Sequence, residues 1–206
     1  MSDFGGSHTP DNLKDLWMTP ADIFTALDIE FGFYLDAAAS NKSALCARYL
    51  TEQDDALNSS WESYGAIWCN PPYSDISPWV TKAAEQCKQQ LQTVVMLVPA
   101  DSSVGWFSQA LQSVDEVRFI TDGRISFLRS DTGKPINGNN KGSLLFIWRP
   151  FIKPRCMFTT VKRDELKAIG QEILTGSKQH EEKNIRRYLV LYRHHRMGGT
   201  GNHLHY

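Results

Sequence analysis

The chain has 206 residues, 41% of them hydrophobic and 22% charged, the balance of an ordinary soluble globular protein long enough for one α/β domain with a substantial core. No apolar run approaches the ~20 residues of a membrane span, no basic-then-apolar signal opens the chain, and Cys46, Cys69, Cys87 and Cys156 are scattered without CxxC pairs. That argues against a membrane protein, a zinc site and a disulfide framework, and it points to a reducing, cytoplasmic compartment.

Residues 1–15 are polar, contain Gly5-Gly6 and Pro10, and read as a loose leader to a domain spanning 16–176. Thr19-Pro20 opens a helix, with Thr19 as N-cap, Pro20 at the first helical position, Asp22 in the first turn, and Ile23, Phe24 and Leu27 on one face. Gly32 is its stop. Phe33-Tyr34-Leu35 is the first strand and ends at Asp36. Ala37-Ala38-Ala39-Ser40 then opens a second helix. In nucleotide-binding α/β folds the first strand-to-helix turn needs small residues so that backbone approaches the ligand, and here alanines stand where many such folds use glycines. The same residues also read simply as Asp36 capping an alanine-rich helix. Arg48-Tyr49-Leu50 is the second strand, and Asp54-Asp55 falls on a loop near the third. A loop carboxylate accepts from ribose hydroxyls or from an adenine amino group, and it also suits a solvated acidic turn. Glu52 is a weaker candidate for the ribose.

The most specific stretch is Ile67-Trp68-Cys69-Asn70-Pro71-Pro72-Tyr73-Ser74, an apolar run stopped by an amide, two prolines and a ring. Buried strands end this way where their carboxyl end opens onto a site. The prolines stiffen the turn and remove two donors, which leaves its carbonyls free to accept. Such a corner suits a conjugated amine, whose lone pair is delocalised into its ring. Acceptors on both amine hydrogens, the Asn70 side-chain oxygen and the Pro71 carbonyl, favour the pyramidal form in which that lone pair is available. Tyr73 offers a face on which a flat ring stacks. A loop in which Asn70 caps a turn and Tyr73 packs on the prolines asks for less than this motif supplies.

Ser77-Pro78 caps a helix with Val80, Ala83, Ala84, Cys87 and Leu91 at helical spacing, which places Cys87 in the core. Thr93–Val98 is a buried strand, Trp106–Val114 a helix, and Glu116–Ile120 and Ile125–Leu128 are strands around Asp122-Gly123-Arg124. Ser143–Trp148 completes a final pair that admits an antiparallel arrangement. The net charge of −1 hides an asymmetry: residues 1–117 hold 16 acids and 5 bases, whereas 118–163 hold 10 bases and 2 acids. Polyphosphate affinity follows the local patch and not the chain total. The polar stretch 129–142 therefore reads as a DNA-contacting loop, with Arg124, Arg129, Lys134 and Lys141 for phosphates and Asn137, Asn139 and Asn140 for base edges. A plain hairpin loop is the other reading. Asp164–Leu174 is a short amphipathic helix. The tail, 177–206, holds His180, His194, His195, His203 and His205, at no spacing that repeats a zinc template, so no metal is expected.

The ordered set of motifs resembles the phage-encoded DNA N-6-adenine methyltransferases. The matching pieces are Trp17-Met18-Thr19-Pro20, Leu35-Asp36-Ala37-Ala38, Asp54-Asp55-Ala56-Leu57 with Trp61, Asn70-Pro71-Pro72-Tyr73-Ser74, Leu97-Val98-Pro99-Ala100 and Gly123-Arg124-Ile125-Ser126-Phe127. The resemblance implies a Rossmann-like S-adenosylmethionine-dependent fold, α/β, with a mostly parallel twisted sheet of about seven strands and helices on both faces. It implies S-adenosylmethionine as methyl donor and DNA as acceptor, with the target adenine turned out of the duplex. It places Trp17, Thr19, Pro20, Asp36, Ala37, Ala38, Asp54 and Asp55 at the cofactor, Asn70, Pro71, Pro72 and Tyr73 at the chemistry, and the enzyme in the cytosol of a bacterial host. The same corner also suits an RNA base or a protein glutamine amide, and a non-catalytic nucleic-acid-binding protein on a degenerate fold is the reading from a different class.

Overall fold

In a computed structural model of the chain, residues 17–129, 131–136 and 141–177 are described. The leader 1–15, Asn137, Asn139, Asn140 and the histidine-bearing tail from 178 onward lie outside the described residues. Residues up to Gly170 form one compact unit; of the second, residues 171–177 are described and are helical.

The first unit is built on a seven-stranded sheet. Its strands are β2 (Phe33–Asp36), β3 (Arg48–Tyr49), β4 (Ala66–Cys69), β5 (Val94–Pro99), β6 (Glu116–Thr121), β8 (Ser143–Trp148) and β9 (Met157–Lys162), in the order β3-β2-β4-β5-β8-β6-β9. Every neighbouring pair is parallel except those made by β8, which runs against both β5 and β6. The antiparallel pair expected of Ile125–Leu128 with Ser143–Trp148 does not form: β8 pairs instead with β6 and β5, and Leu128 joins a separate ribbon. A separate two-stranded ribbon pairs β1 (Trp17–Met18) with β7 (Leu128–Arg129), antiparallel.

The central strands are buried on both faces, so their apolar runs are unbroken, and the pleat sends alternate residues to opposite layers. Ile67, Cys69, Val94, Met96, Val98, Leu144 and Phe146 meet one layer with Val80, Ala83 and Cys87 of α2 (Ser77–Gln90) and Phe107 and Ala110 of α3 (Gly105–Leu111). Trp68, Val95, Leu97, Leu145 and Ile147 meet the other, with Ile23, Phe24 and Leu27 of α1 (Ala21–Phe31) and Leu166 of the helical residues 163–170. The sheet lies between two helical layers.

Several local expectations are corrected. Thr19 does not cap α1: Pro20 occupies the N-cap position, no side chain bonds there, and Phe24 N–H donates to the Pro20 carbonyl at 3.1 Å. Ala37–Ser40 is not helical; Ala37 N–H donates to Trp68 O and Ala39 N–H to Leu50 O, so those amides are taken by neighbouring strands before a helical turn forms. Asp54 is not on an open loop: Glu52–Asp54 turns as a short 3-10 helix that Asp55 ends, ahead of β4. Ile125–Leu128 is strand only at its end, where Leu128 joins the ribbon, since Ile125 and Phe127 are buried side chains under the sheet's second layer. Leu91 ends α2 in a left-handed conformation and is exposed, outside the core stripe. Gly32 does stop α1, at φ 67°, with its N–H on Asp28 O at 2.7 Å.

Candidate active site

The strand order reverses between β2 and β4, since β3 lies on one side of β2 and β4 with β5 on the other. At such a point the connections leave in opposite directions and open a crevice at the carboxyl ends of the strands. A cavity of about 790 Å³ lies there, a volume suited to a nucleoside-sized ligand. Trp17, Met18 and Thr19 from the ribbon end, Asp36–Ser43 after β2, Leu50–Gln53 after β3, Asp55–Leu57, and Asn70 and Pro72 after β4 line it, with Trp79 from α2.

Asn70 follows the last residue of β4. Its Nδ2 donates to the Trp17 backbone carbonyl at 2.9 Å. That carbonyl has no proton to give, so the amide is held with its nitrogen toward Trp17 and its oxygen away. Asn70 Oδ1 is buried and has no partner, as is Thr19 Oγ1. Because Thr19 does not cap α1, its hydroxyl lacks that partner. Pro71 is buried behind the corner while Pro72 lines the cavity. Tyr73 sits at the junction of the two cores, edge-to-face with Trp17 (5.9 Å between centroids) and Phe127 (6.2 Å). Its hydroxyl is buried without a partner, and burial pushes its pKa above the tyrosine range.

Asp36 ends β2 and is 2% exposed. Its carboxylate accepts Ala38 N–H at 3.3 Å and Leu45 N–H at 3.2 Å, which folds the loop 37–45 around it. Burial raises its pKa to about 6 against the lowering effect of those two bonds. The alanines beyond it leave the cavity wall thin, so backbone is close to whatever fills it. Asp54 is committed elsewhere: its Oδ2 accepts from Thr51 N and Oγ1, both at 2.7 Å, and it does not line the cavity. Asp55 does, as does Glu52, while Pro20 stands behind Thr19 outside the lining. Leu57 lines it as part of the Asp54-Asp55-Ala56-Leu57 piece, whereas Leu50 and Trp79 join the wall without a site signal in the sequence, because strand and helix spacing explains them.

Arg124, Arg129, Lys134 and Lys141 all fall at the same end of the sheet as Asn70, because they follow the end of β6 or precede the start of antiparallel β8. Arg129 is paired with Asp131 at 2.6 Å and Lys141 with Asp101. Lys134 is exposed.

Residues 6–173 match the family described as DNA N-6-adenine-methyltransferase (Dam). The chain is 37% identical over 161 residues to the DNA N-6-adenine-methyltransferase of Escherichia phage T1, covering 71% of this chain and 67% of that one. It is 34% identical over 146 residues to the DNA N-6-adenine-methyltransferase of Haemophilus phage HP1 (strain HP1c1), covering 70% and 84%. The chain belongs to the DNA N-6-adenine-methyltransferase (Dam) family.

Proposed function

We propose that the protein transfers a methyl group from S-adenosylmethionine to the N6 amine of adenine in DNA, on a Rossmann-like methyltransferase fold working in the cytoplasm of a bacterial host. The observation that carries this reading is the buried Asn70 amide, tied through nitrogen to Trp17 and left with an unpartnered oxygen beside a cavity that starts at Asp36.

Two buried oxygens without partners, at Thr19 and Asn70, and a carboxyl held near pKa 6 by burial fit a polar, cationic ligand that completes their bonding. Asp36 and Thr19, with the Ala37-Ala38 backbone, hold the methionine portion, and Asp55 and Glu52 face the nucleoside. When bound, the sulfonium supplies a methyl group already activated for transfer. Asn70 Oδ1 and the Pro71 carbonyl accept hydrogen bonds from the two hydrogens of the target amine and turn its lone pair out of conjugation; the methylated nitrogen then releases one proton to water, so the rate comes from placement and not from an acid or base. An adenine inside a duplex cannot reach this corner, so it rotates out and lies against the accessible part of the Tyr73 ring. Arg124, Arg129, Lys134 and Lys141 hold phosphates on the same side, with Asn137 and Asn139 as base-edge candidates beyond the described residues.

Methyl incorporation from labelled S-adenosylmethionine into duplex DNA, RNA or protein separates this reading from the RNA and glutamine-amide alternatives. Incorporation is expected in DNA, at adenine N6, and is strongly reduced in Asn70→Ala although that variant still binds S-adenosylmethionine. Incorporation confined to RNA or protein contradicts the assignment.

A further inference from the structure

The group that orients Asn70 is a backbone carbonyl, and what fixes that carbonyl lies outside the cavity. Trp17 is paired across the ribbon with Arg129, and Met18 with Leu128. The ribbon strand is itself folded back on residues 134–136: Arg129 N–H donates to Lys134 O at 2.9 Å, Ile136 N–H to Phe127 O at 2.7 Å, and Leu128 bridges Pro135. The Trp17 ring is stacked on Phe127 at 5.4 Å and 28°, and Phe127 is 1% exposed. Tyr73 closes the cluster, edge-to-face with both rings. One contiguous set of contacts therefore joins the segment bearing Arg129 and Lys134 to the amide at the corner.

We propose that Phe127 and Trp17 are positioning residues: Phe127 and the Leu128–Arg129 strand fix the Trp17 carbonyl, and through it the Asn70 amide, so the segment offered to DNA phosphates also sets the geometry of the acceptor. Phe127 does not line the cavity and touches no reacting group. It acts only through Trp17 and Tyr73. A misplacement of the order of 1 Å at a reacting centre costs about a hundredfold in rate, and an amide free to turn over presents its NH2 to the target amine half of the time, donor against donor. The inference rests on the reading of Asn70 as the acceptor for the target amine.

The test compares the full chain with Phe127→Leu in two measurements. In the first, the Asn70 side-chain NH2 resonances of 15N-asparagine protein, assigned by their loss in Asn70→Ala, are followed for hydrogen exchange. In the second, methyl transfer to DNA from a methylation-deficient bacterium gives kcat and KM, with S-adenosylmethionine affinity by calorimetry. The expected result is slowed exchange of the Asn70 amide in the parent and faster exchange in Phe127→Leu. With it kcat falls about tenfold or more, while the KM for DNA and the cofactor affinity stay within about twofold. Unchanged kcat, or unchanged Asn70 exchange, in a folded variant overturns the proposal. If Phe127→Leu does not fold, the parent decides: an Asn70 amide that exchanges as fast as an exposed asparagine overturns it, and a protected one supports it. Absence of any methyl transfer by the parent would instead strike the proposed function, and the exchange data would still decide the positioning contact.

Discussion

Thr19 Oγ1, Asn70 Oδ1 and Tyr73 Oη are buried without hydrogen-bond partners, and two of the three belong to residues lining one cavity. A buried polar atom left unsatisfied costs about 1–3 kcal/mol, and that cost persists at a site where a ligand relieves it. Asp36 adds a second cost of the same kind. Its folded pKa of about 6 lies above the ordinary 3.8. Below pH 4 both folded and unfolded chains hold the proton; between 4 and 6 the unfolded chain has released it and the folded chain has not. Folding stability therefore falls as pH rises through that window, by an amount on the order of 3 kcal/mol, and stays at the lower level above it. A ligand ammonium beside Asp36 needs the ionised form. S-adenosylmethionine affinity, measured by calorimetry from pH 5 to 7.5, is expected to rise through about pH 6. In Asp36→Asn it should be weaker by about tenfold or more and flat with pH. A variant that keeps the parent's affinity and profile would remove Asp36 from the cofactor site.

At the scale of elements, what was legible followed from unambiguous chemistry. The strand at 143–148 is a continuous apolar run, Asn-Pro-Pro-Tyr stops β4 where the prolines require, and Gly32 ends α1 through a positive φ that a side chain resists. What was not legible was decided by partners distant in sequence. Thr19 has every local feature of an N-cap, yet Pro20 takes that position and Thr19 is part of the cavity wall. The alanines after Asp36 have high helix propensity, yet their amides are taken by Trp68 and Leu50. β9 is an edge strand with alternating half-buried and exposed residues in a mixed sequence, and no strong pattern marks it. The Trp17–Asn70 contact joins residues 53 positions apart, and no motif records it. Close helix packing was equally silent: a Cβ at Gly170 would lie 1.8 Å from the Asp22 carbonyl oxygen of α1. Backbone cannot yield there as a flexible side chain would. Gly170→Ala is expected to destabilise the fold by about 2 kcal/mol or more in urea denaturation; a midpoint unchanged from the parent would contradict this close approach.

Across the whole molecule, the basic bias of residues 118–163 resolves into two groups with different work. Arg118 binds Glu30 and Glu116, Arg149 binds Asp115 and Glu116, and Arg155 binds Asp115, all at the end of the sheet where β6 begins. These pairs brace strands and lie away from the cavity. Arg124, Arg129, Lys134 and Lys141 stand at the opposite end, with Asn70. The charge count alone made no such division, because β8 runs against its neighbours and returns the chain to the far end. Lys134→Glu is therefore expected to weaken DNA binding and lower the salt dependence by about one counterion or more. Lys153→Glu, between β8 and β9 at the far end, should leave both unchanged in a fluorescence titration. Equal effects of the two would show that position on the sheet does not select the DNA-facing bases.

The proposed methyl transfer depends on Asn70 presenting its oxygen to an adenine amine in DNA. Long-read mapping of methylated adenines in DNA from a methylation-deficient bacterium expressing the chain, beside cells expressing Asn70→Ala, measures this directly. The predicted result is N6-methyladenine at a recurring sequence context in the first culture and at background in the second. Equal methylation in both, or none in either with folded, cofactor-binding protein present, would contradict it.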